Sequence, residues 1–139
     1  MTNFNDWNQA IIAEFRANGG QVGGQFAGAR LLLMTTTGAR TGTRRTTPVM
    51  YNTEDGQRLL VFASKAGAPT NPDWYHNLVA NPEVTVEVGA ETYTVRATVL
   101  TGEERDRLFR WNAEQNPGFA EYEAKTTRTI PVVALDRMQ

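Results

Sequence analysis

Arg40, Arg44 and Arg45 crowd into the stretch TTTGARTGTRR, residues 35–45, beside Gly38, Thr41, Gly42 and Thr43. Guanidinium groups this close repel one another unless an anion lies among them. The glycines open backbone conformations that side chains forbid, and the threonines add hydroxyl donors. The chemistry this set fits is a clamp for phosphate or carboxylate. The alternative is a solvated basic loop paired with nearby Asp and Glu. A second stretch, VFASKAGAPTNPDWYHNL at 61–78, adds a hydroxyl and a cation, Ser64 and Lys65. It then runs into a helix whose N-terminus attracts anions in its own right. Trp74 and Tyr75 on that helix offer flat apolar surface. Cations for a phosphate and aromatic walls for a ring describe a flavin-like ligand.

The elements that must hold these residues are legible from spacing. Phe4, Trp7, Ile11 and Phe15, with Ile12, fall at helical intervals over 4–17, and Asn5 or Asp6 stands at the capping position. This helix is read as lying on the domain. Its polar residues Asp6, Glu14 and Arg16 lack the basic rows that favour anionic lipid, and contact with a membrane or a ligand is the sharper alternative. NGGQVGGQFAGA, 18–29, is a loop without the spacing of a P-loop or a dinucleotide fingerprint. Strands are expected at 30–37 and 46–53, with Pro48 marking an edge or bulge. The EDG turn at 54–56 leads to a strand at 59–64. Asn71 should cap the next helix, with Pro72 in its first position. Val84, Val86 and Val88 alternate with polar residues, and Gly89–Ala90 turns the chain into a strand over 91–100. TGEE at 101–104 has capping-box spacing and opens a helix to about residue 115. NPG at 116–118 breaks it, a short helix follows over 119–125, and a last strand spans 130–135. The order α-β-β-β-α-β-β-α-α-β, with tight turns, predicts one α+β domain over 1–139. The sheet should be largely antiparallel and close into a barrel or a sandwich.

Composition narrows the function. The chain has 139 residues and a net charge of −1, which disfavours a general nucleic-acid or membrane-surface binder. Any basic site is therefore local. The absence of cysteine excludes disulfides, thiol catalysis and cysteine metal sites, and a single histidine, His76, excludes a multi-histidine metal site. No signal-peptide pattern or run of about 20 apolar residues is visible, so a cytoplasmic protein is the default expectation.

TTTGARTG followed by RRTTP, then ASKAGAPTNPDWYHNLVANPEV, then TRTIPVV resembles the deazaflavin-dependent nitroreductase family. The likeness runs over about residues 23–135, and three motifs in order are more specific than any one. It implies a split β-barrel, mostly antiparallel and six-stranded with peripheral helices and related to flavin-reductase and FMN-binding proteins, and non-covalent binding of coenzyme F420, an 8-hydroxy-5-deazaflavin. By resemblance, the loop between the first two strands binds the coenzyme's phosphate and acidic tail. Arg40 and Arg45 fall on its basic positions, with Ala39 and Thr41 beside them and Arg44 a nearby extra. Thr46, Thr47, Pro48, Val49 and Met50 would pass beneath the ring. Phe62, Ala63, Ser64 and Lys65 would form the next wall. Asp73, Trp74, Tyr75, His76 and Asn77 would close the far side. Relatives place tyrosines toward the substrate near the C-terminus; Tyr122 matches one, and Phe119 stands where another can occur.

The implied reaction is a two-electron reduction. Hydride passes from C5 of the reduced deazaflavin to an activated C=C bond such as an unsaturated lactone, to a quinone, or to a nitro-aromatic compound. Tyr122 or solvent supplies a proton. The coenzyme carries the chemistry and the protein supplies position and electrostatics. The rivals are a non-catalytic F420 carrier and a similar barrel holding FMN or haem. Either a monomer or a homodimer is compatible with the sequence.

Overall fold

The computed structural model of the chain describes residues 4–23, 30–53 and 58–138. Helix α1 (Phe4–Ala17) leads to strands β1 (Leu31–Thr37), β2 (Arg44–Asn52) and β3 (Leu59–Phe62). A 3-10 turn at Lys65–Gly67 and helix α2 (Asp73–Ala80) follow. Strands β4 (Glu83–Val88) and β5 (Glu91–Leu100), helices α3 (Gly102–Gln115) and α4 (Gly118–Lys125), and strand β6 (Val132–Arg137) complete the order. The six strands close into a barrel in the order β1-β2-β3-β6-β5-β4, every neighbour antiparallel. The expected barrel and element order are both present.

The apolar pattern of each strand follows from what covers its outer face. Leu32 and Met34 of β1 point into the barrel with Val61, Val84, Val86, Val95, Val133 and Leu135. Leu31 and Leu33 point outward, under Ile12 and Phe15 of α1. Leu60 and Phe62 of β3 and Val132 and Ala134 of β6 point outward, under Leu108 and Phe109 of α3 and Phe119 of α4. Strands covered on both faces read as unbroken apolar runs; β4, without a helix over its outer face, alternates. Burying Ile12 and Phe15, 4% and 1% exposed, contributes about 1.5–3 kcal/mol each. Arg16 adds a paired contact to Glu87 of β4 at 2.8 and 3.0 Å. Helix α1 therefore lies on the domain, as expected. The side chains of residues 4–7 proposed for its apolar face and cap, the loop at 24–29 and the EDG turn lie outside the described residues.

Several boundaries and caps differ from expectation. Strand β2 begins at Arg44, so two of the three arginines belong to a strand rather than to the loop. Strand β3 ends at Phe62, and β6 is shifted to Val132–Arg137. Asn71 does not cap α2: Pro72 occupies the cap position, and the Asn71 carboxamide instead accepts from Arg128 Nη1 at 2.6 Å. The capping box at 101–104 is not formed. Gly102 enters α3 with φ +63°, and Glu104 approaches Arg58 at 3.7 Å. Among the described residues, Pro48 sits where β2 has β1 as its only partner strand, the local edge its sequence signalled.

Candidate active site

The barrel wall is nearly open on one side. β2 pairs with β1 along residues 44–50 but, among the described residues, meets β3 only through Tyr51↔Val61 and Asn52↔Leu60. Past those pairs the two strands part. The chain after β3 stays with the β6 side, Ala63 N–H donating to Pro131 O at 3.0 Å. The result is a split with residues 44–50 on one lip and 62–65 on the other. Alternation turns Arg45, Thr47 and Val49 toward the barrel interior and Thr46, Pro48 and Met50 outward. The split leaves the β2 edge open, with backbone groups that no strand among the described residues uses.

The β1–β2 loop is built by its own hydrogen bonds. Gly38 N–H donates to Thr43 O at 2.8 Å and Gly42 N–H to Gly38 O at 3.0 Å. Gly42 takes φ +71°, a conformation that L side chains rarely adopt. Thr41 Oγ1 accepts from Thr43 N–H at 3.2 Å, so that hydroxyl shapes the loop. Helix α2 holds the loop in place. Asn77, buried, accepts from Ala39 N–H at 3.0 Å and donates to Thr36 Oγ1 at 3.2 Å. Thr46 is tied to Thr35 by a hydroxyl pair at 2.8 Å.

The three arginines divide. Arg44 leans away from the split and donates to Thr85 Oγ1 at 3.2 Å. Arg40 and Arg45 are exposed, and among the described residues neither makes a hydrogen bond or ion pair. Across the split, Lys65 is exposed and takes φ +47°, the one non-glycine positive φ among the described residues. Its Nζ reaches Thr70 Oγ1 at 3.4 Å.

Arg128, which sequence reading quoted within TRTIPVV but gave no role, anchors this second lip. It donates to Ser64 O at 2.8 Å, Ala68 O at 2.9 Å and Asn71 Oδ1 at 2.6 Å. Burial pushes its pKa below the usual arginine value. The local signal was an arginine placed just ahead of a fully buried strand, where a guanidinium must find fixed acceptors. Gly67, at φ +83°, lets α4 close on the lip: a Cβ there would lie 2.9 Å from Lys125 Cβ and 3.0 Å from Tyr122 O. Tyr122 is half-buried and stands edge-on to Phe119, centroids 5.6 Å apart. Its hydroxyl has no hydrogen bond among the described residues. Phe119 in turn packs on Phe62 at 5.5 Å.

The remaining expected residues are only partly gathered. Trp74 and Tyr75 are half-buried against the interior barrel cluster, where α2 plugs one end with Leu78. Asp73 and His76 face solvent, His76 packing against the Tyr75 ring at 5.6 Å. Asp73 puts a carboxylate in the first turn of α2, which competes with any external anion there.

Residues 7–137 match the family described as F420H(2)-dependent quinone reductase. The chain belongs to that family. A relative in Mycobacterium tuberculosis (strain ATCC 25618 / H37Rv), an F420H(2)-dependent quinone reductase, is 41% identical over 90% of this chain and 86% of its own. The solved F420-H2 dependent reductase FDR-A is 41% identical, covers 77% of this chain and 94% of its own, and superposes with a TM-score of 0.69. A chain solved as a domain-swapped dimer is 36% identical over 96% of this chain and all of its own, with a TM-score of 0.71. Family membership makes this protein an F420H2-dependent reductase with coenzyme F420 as its cofactor. The split fits that group. Arg40, Arg45 and Lys65 leave cationic charge unmatched by any carboxylate among the described residues, as an anionic tail requires. Val49, Phe62 and Ala63 are buried apolar neighbours for a ring. No helix among the described residues is long and apolar enough to cross a membrane.

Proposed function

We propose that this protein reduces quinones with F420H2, and accepts activated alkenes and nitro-aromatics of similar size through the same site. The observation that carries this reading is the split in the barrel wall, with unpaired cations on its lips and an unbonded phenol, Tyr122, beyond the second lip. The coenzyme supplies a hydride from C5 when bound. Arg40 and Arg45 on one lip and Lys65 on the other hold its phosphate and acidic tail by charge-assisted hydrogen bonds. The β2 edge from Thr46 to Met50 and the Phe62–Ala63 wall hold the ring in one plane. Positioning of donor and acceptor is then the main protein contribution. The Tyr122 hydroxyl orients the acceptor or gives it a proton as negative charge develops on the acceptor oxygen. Asp73, Trp74, Tyr75, His76 and Asn77 bound the far side, Asn77 acting through the loop that it fixes.

The test is binding of oxidised F420 and of FMN in parallel, followed by consumption of F420H2 with menadione. Selective F420 binding with turnover is expected. Tight binding without turnover identifies a carrier, and preferential FMN binding overturns the assignment of this site. Coenzyme deuterated at C5, followed through a single turnover with an α,β-unsaturated lactone, should place deuterium on product carbon. Reduction without that label would overturn direct hydride transfer.

A further inference from the structure

The second lip and helix α4 touch through Gly67. That glycine is buried, and a Cβ there would lie 2.9 Å from Lys125 Cβ, 3.3 Å from Lys125 Cδ and 3.0 Å from Tyr122 O. The Lys125 stem therefore runs along the lip from Cβ to Cδ, with its ammonium two bonds further on, in water. Lys125 lies in the last turn of α4. Phe119, Tyr122 and Lys125 follow at intervals of three and share one face of that helix. Helical side chains lean toward the N-terminus, which brings the Lys125 stem back over the turn that carries Tyr122.

The charge at that spot is not cancelled. Lys125 is exposed, and among the described residues it makes no hydrogen bond or ion pair. Glu121, four residues earlier at a spacing that favours pairing, does not take it. Glu123 turns instead to Arg105 Nη2 at 3.9 Å. Arg128 is held by neutral oxygens, those of Ser64, Ala68 and Asn71. Lys65 has only the Thr70 hydroxyl, at 3.4 Å. Lys65, Lys125 and Arg128 thus give this lip positive charge that no carboxylate among the described residues pairs with. Of the three, Lys125 is the one on the Tyr122 face.

We propose that Lys125 sets the charge preference of the acceptor site: its ammonium pairs with an anionic substituent, a carboxylate or sulfonate, on a quinone-class ring. The inference rests on the quinone-reductase reading and adds the charge of the preferred substrate to it. Residues three apart on a helix stand about 5–6 Å apart at Cβ. That span lets Tyr122 meet a ring oxygen while Lys125 meets an acidic group on the same ring system. The pair forms in contact with solvent, so the preference is modest and weakens with salt. Unpaired cations on the same lip also draw an anionic acceptor toward the site.

The test reduces two acceptors in parallel with F420H2: menadione, which is neutral, and a naphthoquinone bearing a ring sulfonate. The ratio of their kcat/KM values in a variant, divided by the wild-type ratio, cancels their intrinsic reactivity. Lys125→Met keeps the stem on Gly67 and removes the charge, and should lower the sulfonate-to-menadione ratio by about 5-fold. Lys125→Glu should lower it by about 10-fold or more, and Lys125→Arg should keep it near the wild-type value. The wild-type ratio should itself fall between about 50 mM and about 0.5 M salt. A second arm needs no turnover: the calorimetric Kd of the sulfonate for the oxidised-F420 complex should weaken by about 5-fold in Lys125→Met. Turnover with the ratio unchanged in folded Lys125→Met and Lys125→Glu overturns the role of Lys125 and leaves the reductase reading standing. Weaker binding of oxidised F420 in Lys125→Met, with no change in the ratio, assigns the lysine to the coenzyme and overturns the proposal as well. Weaker sulfonate binding in Lys125→Met, without wild-type turnover of either acceptor, keeps the role and overturns the reductase reading. Neither turnover nor a difference in sulfonate binding overturns both.

Discussion

At the scale of single residues, the clamp is smaller than the arginine count suggests. Strand alternation sends Arg44 to Thr85, leaving Arg40 and Arg45 on one lip and Lys65 on the other. Arg45→Ala and Lys65→Ala are each expected to weaken F420 binding by about 10- to 100-fold, the loss of one charge-assisted hydrogen bond. Arg44→Ala should leave affinity nearly unchanged. Fluorescence titration of the three variants checks this, and equal affinities throughout would remove the clamp. Tyr122→Phe should keep F420 affinity while lowering kcat, because a hydroxyl engaged only as charge develops does not alter ground-state binding. Single-turnover kinetics with menadione is the measurement. A rate indistinguishable from wild type would transfer the proton to solvent and leave Tyr122 as packing against Phe119.

At the scale of elements, each lip is held from behind by one polar side chain: Asn77 fastens the β1–β2 loop to α2, and Arg128 fastens residues 64–71. Arg128→Met should strip three acceptors of their donor at once. The expected cost is about 2–3 kcal/mol of stability, since the lost bonds carry charge but are not additive. F420 affinity should fall with it, because Lys65 holds its unfavourable φ only within that loop. Arg128→Lys should recover little, as an ammonium cannot reproduce the planar fork on three acceptors. Urea unfolding of the pair decides it: a lysine variant as stable as wild type would mean that charge, not geometry, fixes the lip.

At the scale of the whole molecule, net charge near zero means that attraction for an anionic coenzyme is confined to the split. Oxidised F420 at about 100 times its Kd should stabilise the fold by about 2.7 kcal/mol. For a domain of this size that raises the unfolding temperature by on the order of 10 °C. The rise should shrink between about 50 mM and about 0.5 M salt, because screening shortens the reach of the exposed cations. Thermal unfolding at the two salt concentrations tests it. An equal rise in both would assign the affinity to the ring and its apolar walls.

The order of the elements was legible in the sequence, and the resemblance of its motifs chose a barrel over a sandwich and marked the two segments that form the lips of the split. Those properties are local: period-2 and period-3.6 patterns, turn residues, and short motifs contiguous in the chain. Even the outward burial of β1, β3 and β6 is written in their unbroken apolar runs. Caps were less legible, because Asn71 and Glu104 had partners, Arg128 and Arg58, far away in sequence. The division of the arginines was decided by where β2 begins, which pairing with Thr36 and Thr37 sets. Tertiary structure alone brought Arg30, Asn52 and Asn112 into one chain of hydrogen bonds. Each is an ordinary polar residue in its own segment. Only the packing of α3 across the end of β2 leaves one amide donor, Asn112 Nδ2, buried and without an acceptor among the described residues.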